Sequence, residues 1–244
     1  MAQADKMRVG SLFAGIGGFD LGLERAGMEC SWQVEIDPWA RKVLAKHWPD
    51  AARYEDVREV GAHNLAPVDV ICGGFPCQDI SNAGKRAGIE GERSGLWSEY
   101  ARIIRELQPR YVIVENVAAL LTRGIDTVLG DLAESGYNAE WDIISAAAVG
   151  APHRRERLWI VAYPDSNGLE AGDYDKLLRE SRLRVAALGG SEDVHLWDGP
   201  TPDRTSFCGT SDGVPRRVDR LRGLGNAVVP QVVEWIGRRI MEAD

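Results

Sequence analysis

The chain has 244 residues, 44% of them hydrophobic, and a formal net charge of −8, a length that buries one substantial core with room for a small extra module. No apolar run approaches the roughly 20 residues that span a bilayer, and the opening MAQADKMRVG lacks the apolar centre of a signal peptide. Cys30, Cys72, Cys77 and Cys208 form no CxxC pair, so the pattern disfavours a disulfide scaffold and a metal site and makes the cytoplasm the expected location.

In chain order the first 163 residues alternate between strand and helix signals. MRVGSLF reads as a strand, AGIGG as a tight turn, and FDLGLERAG as a helix closed by Gly27. CSWQVEID is a second strand. PWARKVLAKHW follows with proline in its first helical turn. A short strand ends near Glu55 and Asp56, and VDVIC is a strong buried one. SGLWSEYARIIREL is an amphipathic helix, RYVIVENV another strand, and GYNAEWDIISAAAVG and RLWIVAY two more. Such alternation predicts an α/β fold with a mostly parallel sheet covered on both faces.

Regularity fails over residues 164–215, which are rich in Gly, Pro, Asp and Ser with one candidate helix near YDKLLRESRLRVAAL. This stretch is expected to be a small irregular module inserted into the main domain, 1–163. Residues 216–244 end in VVPQVVEWIGRRIMEA, an amphipathic helix expected to pack back on the core. Charge divides along the same line. Residues 1–150 carry 15 basic and 22 acidic side chains, whereas residues 151–244 carry 14 and 15. The basic clusters HRRER, RESRLR and RRVDRLR all lie in the second part. Each alone suits a solvated surface; together they suit a polyanionic partner.

The chemistry-bearing residues fall at predicted strand ends. FAGIGGFD places glycines 15, 17 and 18 between a strand and a helix, where backbone approaches a ligand closely. Glu35 ends the second strand about 20 residues on, a spacing at which an acid accepts hydrogen bonds from ribose hydroxyls. Asp56 is placed to receive an adenine amino group. An adenosine-containing cofactor fits this set; ordinary turn glycines and surface carboxylates are the bland alternative. GGFPCQDIS puts Cys77 in a glycine-rich loop after VDVIC, and Glu115 ends YVIVENV, so both should face one pocket. A cysteine nucleophile beside a carboxylic acid suits addition to an electron-poor ring. The plainer readings are a buried small residue for Cys77 and a helix N-cap neighbour for Glu115, with Asn116 opening the next helix.

FAGIGGF, GGFPCQDIS, ENV, PHRRER and GLGNAVVPQ stand in the order found in DNA (cytosine-5) methyltransferases. The chain resembles that family over residues 8–163 and about 214–240, most of all its short phage-type members. The resemblance implies a Rossmann-like SAM-dependent methyltransferase fold, S-adenosylmethionine as donor, and double-stranded DNA as partner, with nucleoid association when DNA is bound. It matches Phe13, Ala14, Gly15 and Gly17 to the loop on the cofactor and Glu35 to the ribose ligand. Ile36 matches an adenine-stacking position, Asp56 with Val57 the adenine edge, and Phe75 and Leu96 the pocket wall. Asn226, Ala227 and Val228 match the closing motif.

The implied chemistry is addition of Cys77 to carbon-6 of a flipped-out cytosine, protonation of ring nitrogen 3 by Glu115, and methylation at carbon-5. Arg157 matches a contact to the cytosine carbonyl and Arg155 its supporting partner; a solvated charge run is the alternative for both. The chain departs from the family pattern in three places. His153 replaces a glutamine, Ala227 replaces a serine, and only about 60 residues separate Tyr163 from the closing motif. A monomer is the expected state, and a cognate restriction endonuclease is a candidate partner. A non-catalytic DNA- or cofactor-binding member and an RNA cytosine-5 methyltransferase stay open as other readings. A nucleotide-dependent oxidoreductase would leave PCQ and ENV without a task.

Overall fold

The computed structural model describes residues 6–76, 95–164 and 223–243. Its strands are β1 (Arg8–Leu12), β2 (Glu29–Val34), β3 (Ala52–Tyr54), β4 (Val70–Gly73), β5 (Tyr111–Val117), β6 (Tyr137–Ile144) and β7 (Arg157–Pro164). Its α-helices are α1 (Gly18–Arg25), α2 (Pro38–His47), α3 (Leu96–Leu107), α4 (Ile125–Glu134) and α5 (Pro230–Ala243). Among the described residues the strands form one sheet in the order β3-β2-β1-β4-β5-β7-β6. Strands β1 to β5 run parallel, and β7 runs antiparallel to both of its neighbours. The order reverses between β1 and β4, the kind of switch point outside which α/β sheets open a ligand crevice.

Side chains alternate between two cores, as the pleat requires. Ile71, Val112, Val114, Leu158 and Ile160 point to one face, against Trp97, Tyr100 and Ile104 of α3 and Val128 and Leu132 of α4. Val70, Cys72, Ile113, Trp159 and Val161 point to the other, against Phe19 and Leu23 of α1 and Val233, Ile236 and Ile240 of α5. Helix α5 thus packs on this second face of the sheet. Its approach to α1 is close: a Cβ at Gly22 would lie 2.5 Å from Val233 Cβ and 2.6 Å from the Pro230 carbonyl. Gly10 plays a similar part within the sheet, since a Cβ there would fall 2.0 Å from the Trp32 ring.

The strand readings hold with two refinements. The segment 136–150 is strand only as far as Ile144, and Ala146–Val149 form a 3-10 turn stopped by Gly150 at φ 88. Asn116 does not open a helix. It is a buried residue of β5, and only a 3-10 turn, Ala118–Thr122, follows before α4. Helix α4 adds to the sequence reading: Ile125, Val128 and Leu132 keep helical spacing and are buried, but its N-cap is Gly124 with no side-chain cap to mark its start. The candidate helix near residues 174–188 and the rest of the proposed module lie outside the described residues.

Candidate active site

A cleft of about 720 Å³ opens where β1, β2, β4 and β5 end. Phe13, Gly15, Glu35, Ile36, Asp56, Val57, Phe75, Leu96, Glu115, Arg155, Arg157 and Asn226 all line it. Residues that lie up to about 200 positions apart in sequence thus share one concave surface. Cys77 and Gln78 lie outside the described residues; the chain before them ends at Pro76, on the cleft wall.

The loop after β1 takes left-handed backbone at Phe13 (φ 53), Gly15 (φ 57) and Gly17 (φ 87). For Phe13, which is not glycine, this conformation costs about 1–2 kcal/mol, and its ring is set against the core near Tyr100. The alternation turns Gly15 outward, where an added Cβ would meet no atom within 4 Å. It turns Ala14 and Gly17 inward. Ala14 is buried with Leu44 and Trp48, and a Cβ at Gly17 would lie 2.3 Å from the Trp48 ring. These two residues shape the loop without lining the cleft.

Glu35 anchors that loop. One carboxylate oxygen accepts from the Gly15 amide at 2.7 Å and the other from the Asp37 amide at 2.8 Å. Each oxygen keeps a second lone-pair direction for a further donor. Beside it Ile36 is 66% exposed, a large apolar side chain facing the cleft. Asp56 caps the 3-10 turn Val57–Glu59 and is gripped by the Arg58 guanidinium, with Nε 2.9 Å from Oδ1 and Nη2 2.6 Å from Oδ2. That grip holds the Asp56 carboxyl below its ordinary value. Arg58 and Trp39 line the same wall, and neither stands out in the sequence.

At the other end Glu115 is only 8% exposed. Its Oε1 lies 3.0 Å from Arg157 Nε. Burial pushes its carboxyl up, while Arg157 and Arg155 pull the other way. Gly74 makes the space, since a Cβ there would sit 2.8 Å from Glu115 Oε2. Asn116 ties the neighbouring loop to this strand: its Nδ2 donates to the Phe75 carbonyl at 3.2 Å, while its Oδ1 accepts from the Val117 amide. The residue two places before Cys77 is thereby fixed to the strand that carries Glu115.

Arg155, at φ 32, directs its guanidinium into the closing segment. Nη2 donates to the carbonyls of Gly225 at 3.0 Å and Ala227 at 2.7 Å. Its geometry is that of a strap between the arginine motif and the chain leading into α5. Ala227 is therefore engaged through its backbone, and Val228 packs on Gly18, whose added Cβ would lie 2.7 Å away. Neither lines the cleft, whereas Asn226 does.

The reversed β7 and the carboxylates at the ends of β2, β3 and β5 belong to a Rossmann-like architecture that the chain shares with a solved methyltransferase. Residues 7–190 match the family model described as C-5 cytosine-specific DNA methylase, and the chain belongs to that family. It is 33% identical over 175 residues to the type II methyltransferase M.NgoFVII of Neisseria gonorrhoeae, a match covering 69% of this chain and 47% of that protein. With M.HhaI of Haemophilus parahaemolyticus it shares 31% identity over 199 residues, 80% of this chain and 61% of that one. The chain spans about half the length of the curated relatives it matches. A solved chain assigned as a DNA modification methyltransferase, encoded within an Escherichia coli prophage, superposes with a TM-score of 0.56 at 30% identity. That match covers 66% of this chain and 47% of the other. Family and fold together imply a methyl donor.

Proposed function

We propose that this chain transfers a methyl group from S-adenosylmethionine to carbon-5 of a cytosine flipped out of double-stranded DNA. The observation that carries the reading is the placement of a buried carboxylic acid, Glu115, in the same cleft as the loop that runs into Cys77. Another part of the cleft suits an adenosine: an exposed apolar side chain, Ile36, lines it together with two acceptors, Glu35 and Asp56. Gly15 leaves open space against backbone beside them.

When bound, the donor supplies an electrophilic methyl group. The Cys77 thiolate forms a bond to cytosine carbon-6, and the displaced electron pair moves toward ring nitrogen 3, which takes the Glu115 proton. A neutral acid is needed for that step, and desolvation favours the neutral form of Glu115. Carbon-5, now nucleophilic, takes the methyl group. A base then removes the carbon-5 proton, the electron pair re-forms the carbon-5 to carbon-6 double bond, and the cysteine leaves as thiolate. The proton on nitrogen 3 returns to Glu115. Arg157, beside Glu115, is suited to donate to the cytosine carbonyl, and Arg155 secures the closing segment. In this reading residues 164–215 supply target recognition and residues 216–244 complete the catalytic domain.

Duplex DNA carrying 5-fluorocytosine has no removable carbon-5 proton and should trap the cysteine adduct. With S-adenosylmethionine present, the native chain is expected to form a denaturation-resistant complex with such DNA and Cys77→Ala none. Absence of a complex across DNA of varied sequence would overturn the reading.

A further inference from the structure

Arg41 stands in α2, behind the cleft wall and not among its lining residues. Among the described residues its guanidinium makes three polar contacts, to the chain ends that carry the nucleoside-facing groups. Nη1 donates to the carbonyls of Glu35 and Ile36, at 2.9 Å each. Nη2 pairs with Glu55 Oε1 at 2.8 Å. Backbone pairing between β2 and β3 extends only as far as the Glu35 amide on the Tyr54 carbonyl. Past that bond the described residues of the two strand ends share no further backbone pairing, and Arg41 bridges them.

We infer that Arg41 is a positioning residue for the adenosine half of the methyl donor, an inference that rests on the functional reading above. A planar guanidinium offers donors in a fixed fork. One edge here sets the two peptides from which the Glu35 and Ile36 side chains leave the chain. The other edge sets Glu55, the residue next to Asp56. The spacing between the ribose acceptor, the apolar stacking surface and the adenine acceptor is thereby held by one group. The arginine side chain is 20% exposed and Glu55 72% exposed, so the carbonyl bonds, above all the partly buried one to Glu35, carry more of the hold than the ion pair. Glu35 relays the effect onward, because its carboxylate holds the Gly15 amide and so the glycine loop.

The test is titration calorimetry with S-adenosylhomocysteine on the full chain, with steady-state kinetics on duplex DNA beside it. Arg41→Ala should raise the ligand Kd about tenfold, and adenosine as competitor should lose the same factor. The donor KM should rise in step, with kcat at saturating donor and DNA affinity retained. A residue that merely supported the fold would lower the melting temperature and kcat without this split. Arg41→Lys keeps the charge, but its single nitrogen cannot span the two carbonyls and Glu55 together, so it should recover only part of the affinity. Should Arg41→Ala not fold, Glu55→Gln breaks one side of the bridge and should raise Kd about threefold. A folded Arg41→Ala, or in its place Glu55→Gln, that binds S-adenosylhomocysteine like the unaltered chain overturns the inference. If the unaltered chain itself binds no S-adenosylhomocysteine, the functional reading falls and the inference with it.

Discussion

Arg157 opens β7 directly opposite Val117, and from there its Nε reaches diagonally to Oε1 of Glu115, 3.0 Å away. An antiparallel neighbour is what permits this contact: the start of β7 meets the end of β5 at the lip of the cleft. A parallel β7 would have brought its far end, Pro164, to that lip instead.

The pair makes a prediction about pH. Burial raises the Glu115 carboxyl, and Arg157 partly opposes that rise. Arg157→Gln removes the opposing charge, so the carboxyl should rise further and hold its proton to higher pH. If the protonated acid is the active form, kcat/KM falls as pH climbs through that value. The falling limb should therefore move to higher pH in Arg157→Gln, even though its maximum is lower. A limb that stays in place, or moves down, would separate Glu115 from the titration.

Glu35 leads to a second prediction. Its two oxygens accept from the Gly15 and Asp37 amides. Glutamine has the same shape but only one acceptor oxygen, so its amide nitrogen must face one of those N–H groups. Glu35→Gln should therefore cost donor binding about 2 kcal/mol, close to a thirtyfold rise in Kd. DNA affinity without donor should be nearly unchanged. Calorimetry and a DNA mobility shift, run on the same preparation, measure both.

Much of this site is legible in the sequence, because strand ends and short motifs coincide in α/β folds. The glycine loop, Glu35 and Glu115 follow the apolar runs of β1, β2 and β5, Asp56 follows the short polar edge strand β3, and the parallel sheet brings those ends to one edge. The parts that escape detection are guanidinium bonds to backbone carbonyls. Arg41 on Glu35 and Ile36, and Arg155 on Gly225 and Ala227, follow no sequence period, since a carbonyl acceptor exists at every residue. Asp20 escapes for a related reason. It sits in the quoted FAGIGGFD, but its fully buried carboxylate serves Ser11, Cys30 and Gln33 beneath the loop. Asn116 misleads because asparagine commonly caps helices, whereas here it fastens Phe75.

Gly22 offers a test of how the closing helix is seated. An added Cβ at 2.5 Å from Val233 and 2.6 Å from the Pro230 carbonyl must push α5 away from α1. Gly22→Ala gains about 1 kcal/mol of helix propensity. Overpacking against backbone costs about 1–3 kcal/mol, so the expected net change is a loss of up to about 2 kcal/mol. Chemical denaturation gives the sign. A more stable variant would mean that the two helices are not held at this separation.

Arg155 ties that same helix to the catalytic edge by another route. Its Nη2 carries both carbonyl bonds, the one to Ala227 partly shielded and the one to Gly225 at the surface, and burial pulls its guanidinium down from its ordinary value. Arg155→Met keeps most of the stem and removes the donors, leaving two carbonyls to find other partners. The expected loss is about 2 kcal/mol of stability, the scale of hydrogen bonds from a charged group. Amide exchange should quicken first over residues 223–229, ahead of the sheet, because the strap holds that segment and not the strands. Glu115 also feels this charge, since Arg155 helps to pull its carboxyl down. Removing Arg155 should therefore shift the falling limb of kcat/KM in the same direction as Arg157→Gln, and by less, because Arg157 is the larger of the two opposing charges. Exchange that quickens uniformly across the sheet would place the strap elsewhere.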